Sequence, residues 1–446
     1  METNQKTSFF QSGTAKIIMV GLLTLILLIP LEFVKGLIKE RAQRQQEVVE
    51  EINDKWGRHV YLYGPMLKVP YTVYEEESLI DEKTKQVVTK RSPKTEYAYF
   101  FPEELKSDIK VNTEEKSRNN YQSVIFKSDI NIKGSFIKPD ISNRDIPSEN
   151  MQWDKASIII RTNNIKGIKG EVSINFGSNK YTFEPVAINN GKDSTSSLAT
   201  LPIDAGALLQ NNTAPFTMAI SYNGSRNIAF VPVGKITEAS MVSNWHSPSF
   251  GGNFLPENKT ITEKGFTADW KISYLNRPFP QQHFDGLPDL SEFSFNVDFM
   301  IPVDQYLQNE RASKYGFLVI GLTFLIFFLI QAISKISIHI FQYTMIGLAL
   351  IMFYTLLISI TEHSSFTLAY IIAGCSVVAM IGLYSISILK NIKFPVFIAA
   401  SLSALYTFIY VIIQLENYAL LVGSIGLFLI LGAVMYFSRK IDWGTN

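Results

Sequence analysis

From residue 315 to residue 437 the chain runs for 123 residues with only five charged side chains, Lys335, Glu362, Lys390, Lys393 and Glu416. About a quarter of the residues in an average soluble domain are charged, so a stretch this poor in charge has to be solvated by lipid. The remaining 323 residues hold the other 76 charges. Two compositions are joined in one chain, and the overall net charge of +1 is their sum. That near-neutral balance excludes a basic nucleic-acid binder and a disordered acidic chain. The split excludes an all-soluble protein.

The apolar run divides into segments 315–334, 338–360, 366–389, 394–414 and 418–437, each long enough to span hydrocarbon with some tilt. Their connectors are so short that neighbouring helices must run antiparallel. A sixth apolar segment, residues 17–34, reads IIMVGLLTLILLIPLEFV and is about 27 Å long as a helix. A cleavable signal peptide is the rival reading, since Lys6 and Lys16 precede it. No small-x-small cleavage pattern follows. The sequence continues as helix-favouring residues 35–56, which predicts a retained anchor with a helical stalk.

Beyond Gly57 the hydrophobic period changes from 3.6 to 2. Segments such as YQSVIFKSDINIKGSF, PFTMAISYNGSRNIAFVPV and FTADWKISYLN are separated by Gly, Asn, Pro and Asp. Asn223-Gly224 reads as a hairpin turn, and NNGKDSTSS (residues 189–197) as a solvated loop and subdomain seam. The expected fold is a membrane protein with an N-terminal transmembrane anchor, a large mostly-β, sandwich-like extracytoplasmic domain and a C-terminal bundle of five transmembrane helices. Its expected boundaries are a cytoplasmic N-terminus 1–16, a first span 17–34, a stalk 35–56 and a β-rich domain 57–302. A juxtamembrane segment 303–314, the five-helix bundle 315–437 and a cytoplasmic C-terminus 438–446 complete it.

Sidedness follows from the short connectors. Lys335, then Lys390 and Lys393, then Arg439 and Lys440 follow alternate spans, whereas TEHSS and QLEN carry no Lys or Arg. The positive-inside rule puts the basic connectors in the cytoplasm, both termini with them, and the β-rich domain in the periplasm. Lys35, Lys39, Arg41, Arg44, Arg311 and Lys314 oppose this assignment. They flank a long domain, which translocates largely regardless of charge, and glutamates are interleaved with them.

Several stretches carry a resemblance that covers nearly the whole chain. They include IKERAQRQQEV (residues 38–48), YGPMLKVPY (63–71), YFFPEELK (99–106), NGSRNIAFVPVGK (223–235), NWHSPSFGGNFLP (244–256) and DWKISYLNRPFPQ (269–281). At the membrane they are VDQYLQNERASKYGFLVIGLTFLIFFL (303–329), TEHSSFTLAY (361–370), QLENYALLVGSIGLF (414–428) and RKIDW (439–443). In their order and spacing the chain resembles the CreD family of bacterial inner-membrane proteins. The resemblance implies association with the Cre two-component response, envelope integrity and altered tolerance to colicins or cell-wall stress. It implies no biochemical activity.

Two constellations are candidate binding sites. Asp304, Glu310, Arg311, Glu362, His363 and Glu416 all fall at the outer ends of the spans. They form a rim that either caps helices and docks the β domain, or meets a lipid headgroup or wall precursor. Within it, Glu310 and Lys314 have the spacing of an i,i+4 pair. The second set is Trp245, His246, Phe250, Trp270, Tyr274 and Arg277, which read either as core aromatics at strand ends or as a ligand groove.

No catalytic residue, metal site or cofactor is assigned, since HExxH, nucleotide-loop and dinucleotide patterns are missing and Cys375 stands alone. The spans hold no carboxylate or arginine at mid-depth, which argues against a proton-coupled pump. Glycines 347, 374, 382, 423, 426 and 432 read as helix-packing positions. The function expected is a non-enzymatic envelope protein acting through a periplasmic binding domain. Its partners would be the bilayer with an envelope lipid, wall precursor or membrane protein. A transporter or lipid-handling protein, and a hydrolase using His363, are the alternatives.

Overall fold

The computed structural model describes residues 13–80, 87–118, 121–144, 146–186, 196–284, 286–301, 305–334, 336–389, 392–415 and 418–439. The chain opens with helix α1 (Gly13–Trp56), followed by strands β1 (Val60–Ile80), β2 (Val87–Phe100), β3 (Glu104–Arg118) and β4 (Tyr121–Ile137). Next come β5 (Ser157–Thr162), β6 (Ile168–Phe176), β7 (Asn179–Val186), β8 (Ser196–Thr200), the single turn α2 (Ala205–Leu208), β9 (Thr213–Ser225) and β10 (Asn227–Phe230). Strands β11 (Ile236–Ser243), β12 (Pro248–Gly252), β13 (Asn258–Thr262), β14 (Gly265–Ser273), β15 (Gln282–His283) and β16 (Phe295–Phe299) complete the sheets. Helices α3 (Gln305–Lys314), α4 (Gly316–Ser334), α5 (Ile340–Thr361), α6 (Phe366–Leu389), α7 (Lys393–Gln414) and α8 (Ala419–Ser438) end the chain. Two compact units result, residues 1–47 with 303–446, and residues 48–302.

Among the described residues six helices, α1 and α4 to α8, are long and apolar enough to cross a membrane. Helices meet there because side chains interlock, since lipid offers no hydrophobic drive between them. On α1 the buried residues Leu23, Leu27, Leu31 and Ile38 fall on one stripe, while Leu22, Leu25, Ile29 and Phe33 stay exposed on the others. Glycines provide the notches that receive this stripe. A Cβ at Gly316 of α4 would lie 2.8 Å from both methyls of Leu31, and one at Gly347 of α5 would overlap Leu27. Gly426 of α8 makes the same kind of room for the Phe408 ring of α7, whereas Gly432 faces open space.

The β unit is two sheets sharing one strand. The first runs β12-β16-β10-β1-β5-β8-β7, with β2 and β15 added beside the second half of β1. The second runs β7-β6-β9-β4-β3-β11-β14-β13. Strand β7 pairs with β6 through Thr182 and with β8 from Phe183 onward, so the hydrogen-bonded ribbon turns from one sheet into the other there. Pairing is antiparallel except for β1 with β10 and β3 with β11. Aromatics of both sheets interdigitate in a single core. Trp270 stacks on Phe295 at 4.9 Å, Phe126 lies 5.1 Å from Phe299, and Phe250 meets Phe266 edge-on at 5.5 Å.

Asn223-Gly224 is not a turn. Both residues pair within β9, opposite Lys127 and Phe126 of β4. Gly224 is required because a Cβ there would overlap the Phe126 ring and come within 2.7 Å of Val60. The chain instead turns at Arg226, whose φ of 62° is left-handed. Most of the loop expected at 189–197 lies outside the described residues, and Ser196 and Ser197 open β8.

The carboxyl end of α1 is seated in the β unit. Trp56 donates its indole N–H to the Phe126 carbonyl at 3.3 Å, and Ser123 donates to Asn53 at 2.6 Å. Lys166 reaches the Asp54 carbonyl at 2.7 Å, and Asn164 donates to the carbonyls of Arg58 and Asn223 at 3.1 and 3.0 Å. Lys166 thereby takes up a helix-end carbonyl that would otherwise lack a partner. Glu51 bridges Arg118 of β3 at 2.6 Å and Lys55 at 2.8 Å. The Arg118 and then the Lys55 hydrogen bonds hold its carboxyl at about 2. A carboxylate depressed by folding contributes stability above its unfolded value near ~4.3 and loses it as pH falls toward the folded one. The stability difference between the native protein and an Arg118→Ala variant is therefore expected to be constant above about pH 5 and to shrink toward zero near pH 2. Chemical unfolding followed by tryptophan fluorescence across that range measures it.

Candidate functional site

The rim residues are placed by α3. Its polar sequence forms a helix because Tyr306, Asn309, Ala312 and Ser313 share a buried side. Gln308 donates to Gln414 at the end of α7 at 3.4 Å. With its amide nitrogen turned toward α5, Gln305 donates to the carbonyls of Thr361 and Ser364, both at 3.2 Å. Asn309 is fully buried, donates to the Gln305 carbonyl at 2.9 Å, and leaves Oδ1 without a partner.

On the outer side of the same helix Glu310 and Lys314 form the i,i+4 ion pair at 3.0 Å. Glu362 caps α5 and faces Arg41 of α1 at 3.5 Å, a pairing that sequence spacing does not reveal across 320 intervening positions. Arg311 is half-buried and His363 exposed. Asp304 and Glu416 lie outside the described residues. Among the described residues no group of three His, Cys, Asp or Glu side chains is disposed to hold a metal ion. What the rim offers chemically is two carboxylates, Glu310 and Glu362, each already compensated by a cation, with the exposed His363 imidazole beside Glu362 in sequence.

The second set is divided by burial. Trp245 and Trp270 are inside the sandwich, their indole N–H groups donating to the carbonyls of Ser247 at 3.0 Å and Phe254 at 3.2 Å. Phe250 is half-buried between Phe266 and Trp270, with Lys259 over its open face at 5.4 Å. His246 and Tyr274 are exposed. Tyr274 lies under Lys235, which pairs with Glu103 at 2.6 Å.

Arg277 is 5% exposed, and everything it donates to is neutral. It reaches the carbonyls of Phe279 at 3.0 Å, Val233 at 3.1 Å and Gly234 at 3.3 Å, and the side-chain oxygen of Gln281. Its plane covers the Phe279 ring at 4.0 Å. Burial pulls its pKa down to about 10. Around the neighbouring Phe101 ring stand Tyr63 at 6.2 Å, His283 at 5.2 Å and the Arg277 guanidinium at 6.0 Å. The Tyr63 hydroxyl, Arg277 Nε and His283 Nε2 are buried there without a partner, as is the hydroxyl of Tyr61, two residues before Tyr63 on β1 and close enough to act on it. Burial, and to a lesser degree the charge of Arg277, lowers the imidazole pKa, so His283 is neutral at pH 7.

Sequence reading also missed a feature of the second sheet's outward face. Ser173, Ala219, Asn131, Asp108, Ser240, Asp269 and Asn258 are successive cross-strand partners. They form a transverse row of short side chains about 29 Å long at ~4.8 Å per strand. Two depressions of about 220 and 350 Å³ lie along it and share Asp108. Lys106 and Lys271 flank the row, both drawn toward Glu238 at 3.5 and 3.6 Å. The signal was present as strict alternation, for instance Leu105, Ser107, Ile109 and Val111 inward along β3 with charged residues between them, but which strands are neighbours is not encoded in any one of them.

Replacing Arg277 by Gln removes donors from three buried carbonyls, which is expected to cost about 1–3 kcal/mol for each group left unsatisfied. Tyr274→Ala, at an exposed ring, should change stability by less than about 0.5 kcal/mol. Equilibrium urea unfolding of the two variants gives the comparison.

The family model for the inner membrane protein CreD matches residues 12–444. The inner membrane protein CreD of Escherichia coli (strain K12) is 30% identical over 427 residues, which are 94% of this chain and 91% of that protein. With six candidate spans and a large β unit inserted after the first, the chain belongs to the CreD family of inner-membrane proteins.

Proposed function

We propose that this protein is a non-enzymatic component of the cell envelope that holds a wall glycan on its β unit and so contributes to envelope integrity under stress. In this reading the β unit is periplasmic and both termini are cytoplasmic. The support for sidedness is electrostatic. Lys393 opens α7 and Arg439 follows α8, whereas the connector after α5 carries Glu362 and no Lys or Arg, and basic residues of short connectors stay on the cytoplasmic side.

The observation that carries the binding reading is the transverse row. Its Ser, Asn and Asp side chains present hydrogen-bonding groups at strand spacing along a face that no other described part of the β unit covers, which suits a hydroxyl-rich polymer lying across the strands. The aromatic set contributes less, because Trp245 and Trp270 are spent on the core.

The test uses the full-length protein in detergent and isolated cell-wall glycan. Co-sedimentation is expected for the native protein, and at least a tenfold loss for Ala219→Trp, which fills the row from an exposed position. Sedimentation no greater than that of an unrelated membrane protein, or undiminished in Ala219→Trp, would overturn the assignment.

A further inference from the structure

We infer that Arg277, Tyr61, Tyr63 and His283 form a subsite in the β unit for a small carboxylate that carries a hydroxyl or N–H donor next to its carboxyl group. It is separate from the transverse row and independent of it.

The Arg277 guanidinium is held 5% exposed and donates to neutral carbonyls. An isolated buried charge is costly unless an opposite charge and hydrogen bonds compensate it. Among the described residues no carboxylate pairs with Arg277, and its Nε–H has no acceptor. Tyr61 and Tyr63 are likewise 7% and 1% exposed, with hydroxyls that meet no partner. Leaving several such groups unsatisfied in one place is uncommon in a folded domain.

Their chemistry selects the ligand. Arg277 Nε–H and the two phenols offer donors, which match the oxygens of a carboxylate. His283 differs from them: its ring faces the Pro280 carbonyl, and its unpartnered Nε2 is then an acceptor in the neutral imidazole. A ligand that satisfies all four therefore brings one donor with its carboxylate, as a 2-hydroxy acid does. The surrounding charges are Arg161, half-buried, and Asp289, exposed, both close enough to act on Tyr61 and Tyr63.

The experiment is thermal unfolding of the purified full-length protein, followed by tryptophan fluorescence. Lactate, propionate and inorganic phosphate are titrated separately at constant ionic strength against sodium chloride. A saturable rise in Tm with lactate is expected, with propionate weaker by about fivefold for its missing hydroxyl. Tyr63→Phe is expected to keep the ligand-free Tm and to weaken lactate by a similar factor. Phosphate binding more tightly than lactate would overturn the carboxylate assignment. No anion acting beyond chloride, or an unchanged lactate titration in Tyr63→Phe, would overturn the subsite and leave these groups as a place for bound water.

Discussion

A peptide bond inside hydrocarbon has no water to fall back on, so each N–H and C=O must be paired within the chain. That constraint divides this protein. Residues 315–437 can meet it only as helices, and the described parts of that run are helical almost throughout. The polar residues 57–302 are free of it and form long paired strands instead. Helix α1 takes part in both regimes. Its amino-terminal half buries Leu27 and Leu31 in glycine notches, and near its end Asp54 gives its carbonyl to Lys166 of the β unit.

What was legible in the sequence depends on how local each signal is. Span lengths and the switch to period 2 are properties of a single segment, so both units could be read directly. Alternation along FTADWKIS would also have placed Phe266, Ala268, Trp270 and Ile272 inward, as they are. Of the aromatics read either as core or as a groove, Trp245 and Trp270 lie in the core. Asn223-Gly224, by contrast, misled. Glycine serves a turn through its backbone freedom, but here it serves a strand by leaving space for Phe126. The choice between the two lies in a residue nearly 100 positions away.

The candidate sites were the least legible part, because burial of a charge is a tertiary fact. Arg277 looks from sequence like any surface arginine, and only the packing of Phe101, Phe279 and the Val233-Gly234 carbonyls around it makes it an internal cation. The Arg41–Glu362 pair joins α1 to the end of α5 across most of the chain. By contrast the Glu310–Lys314 pair was readable, since helical spacing alone brings those two together.

The account stands on the β unit lying outside the cytoplasmic membrane, where a wall ligand can reach it. Labelling intact cells with a membrane-impermeant thiol reagent tests this most directly, using chains in which Cys375 is replaced by Ala and a single cysteine is introduced by Lys264→Cys or Ile392→Cys, both at exposed positions. The account predicts that Lys264→Cys is labelled in intact cells and Ile392→Cys only after the membrane is opened. Labelling of Ile392→Cys alone in intact cells would contradict it.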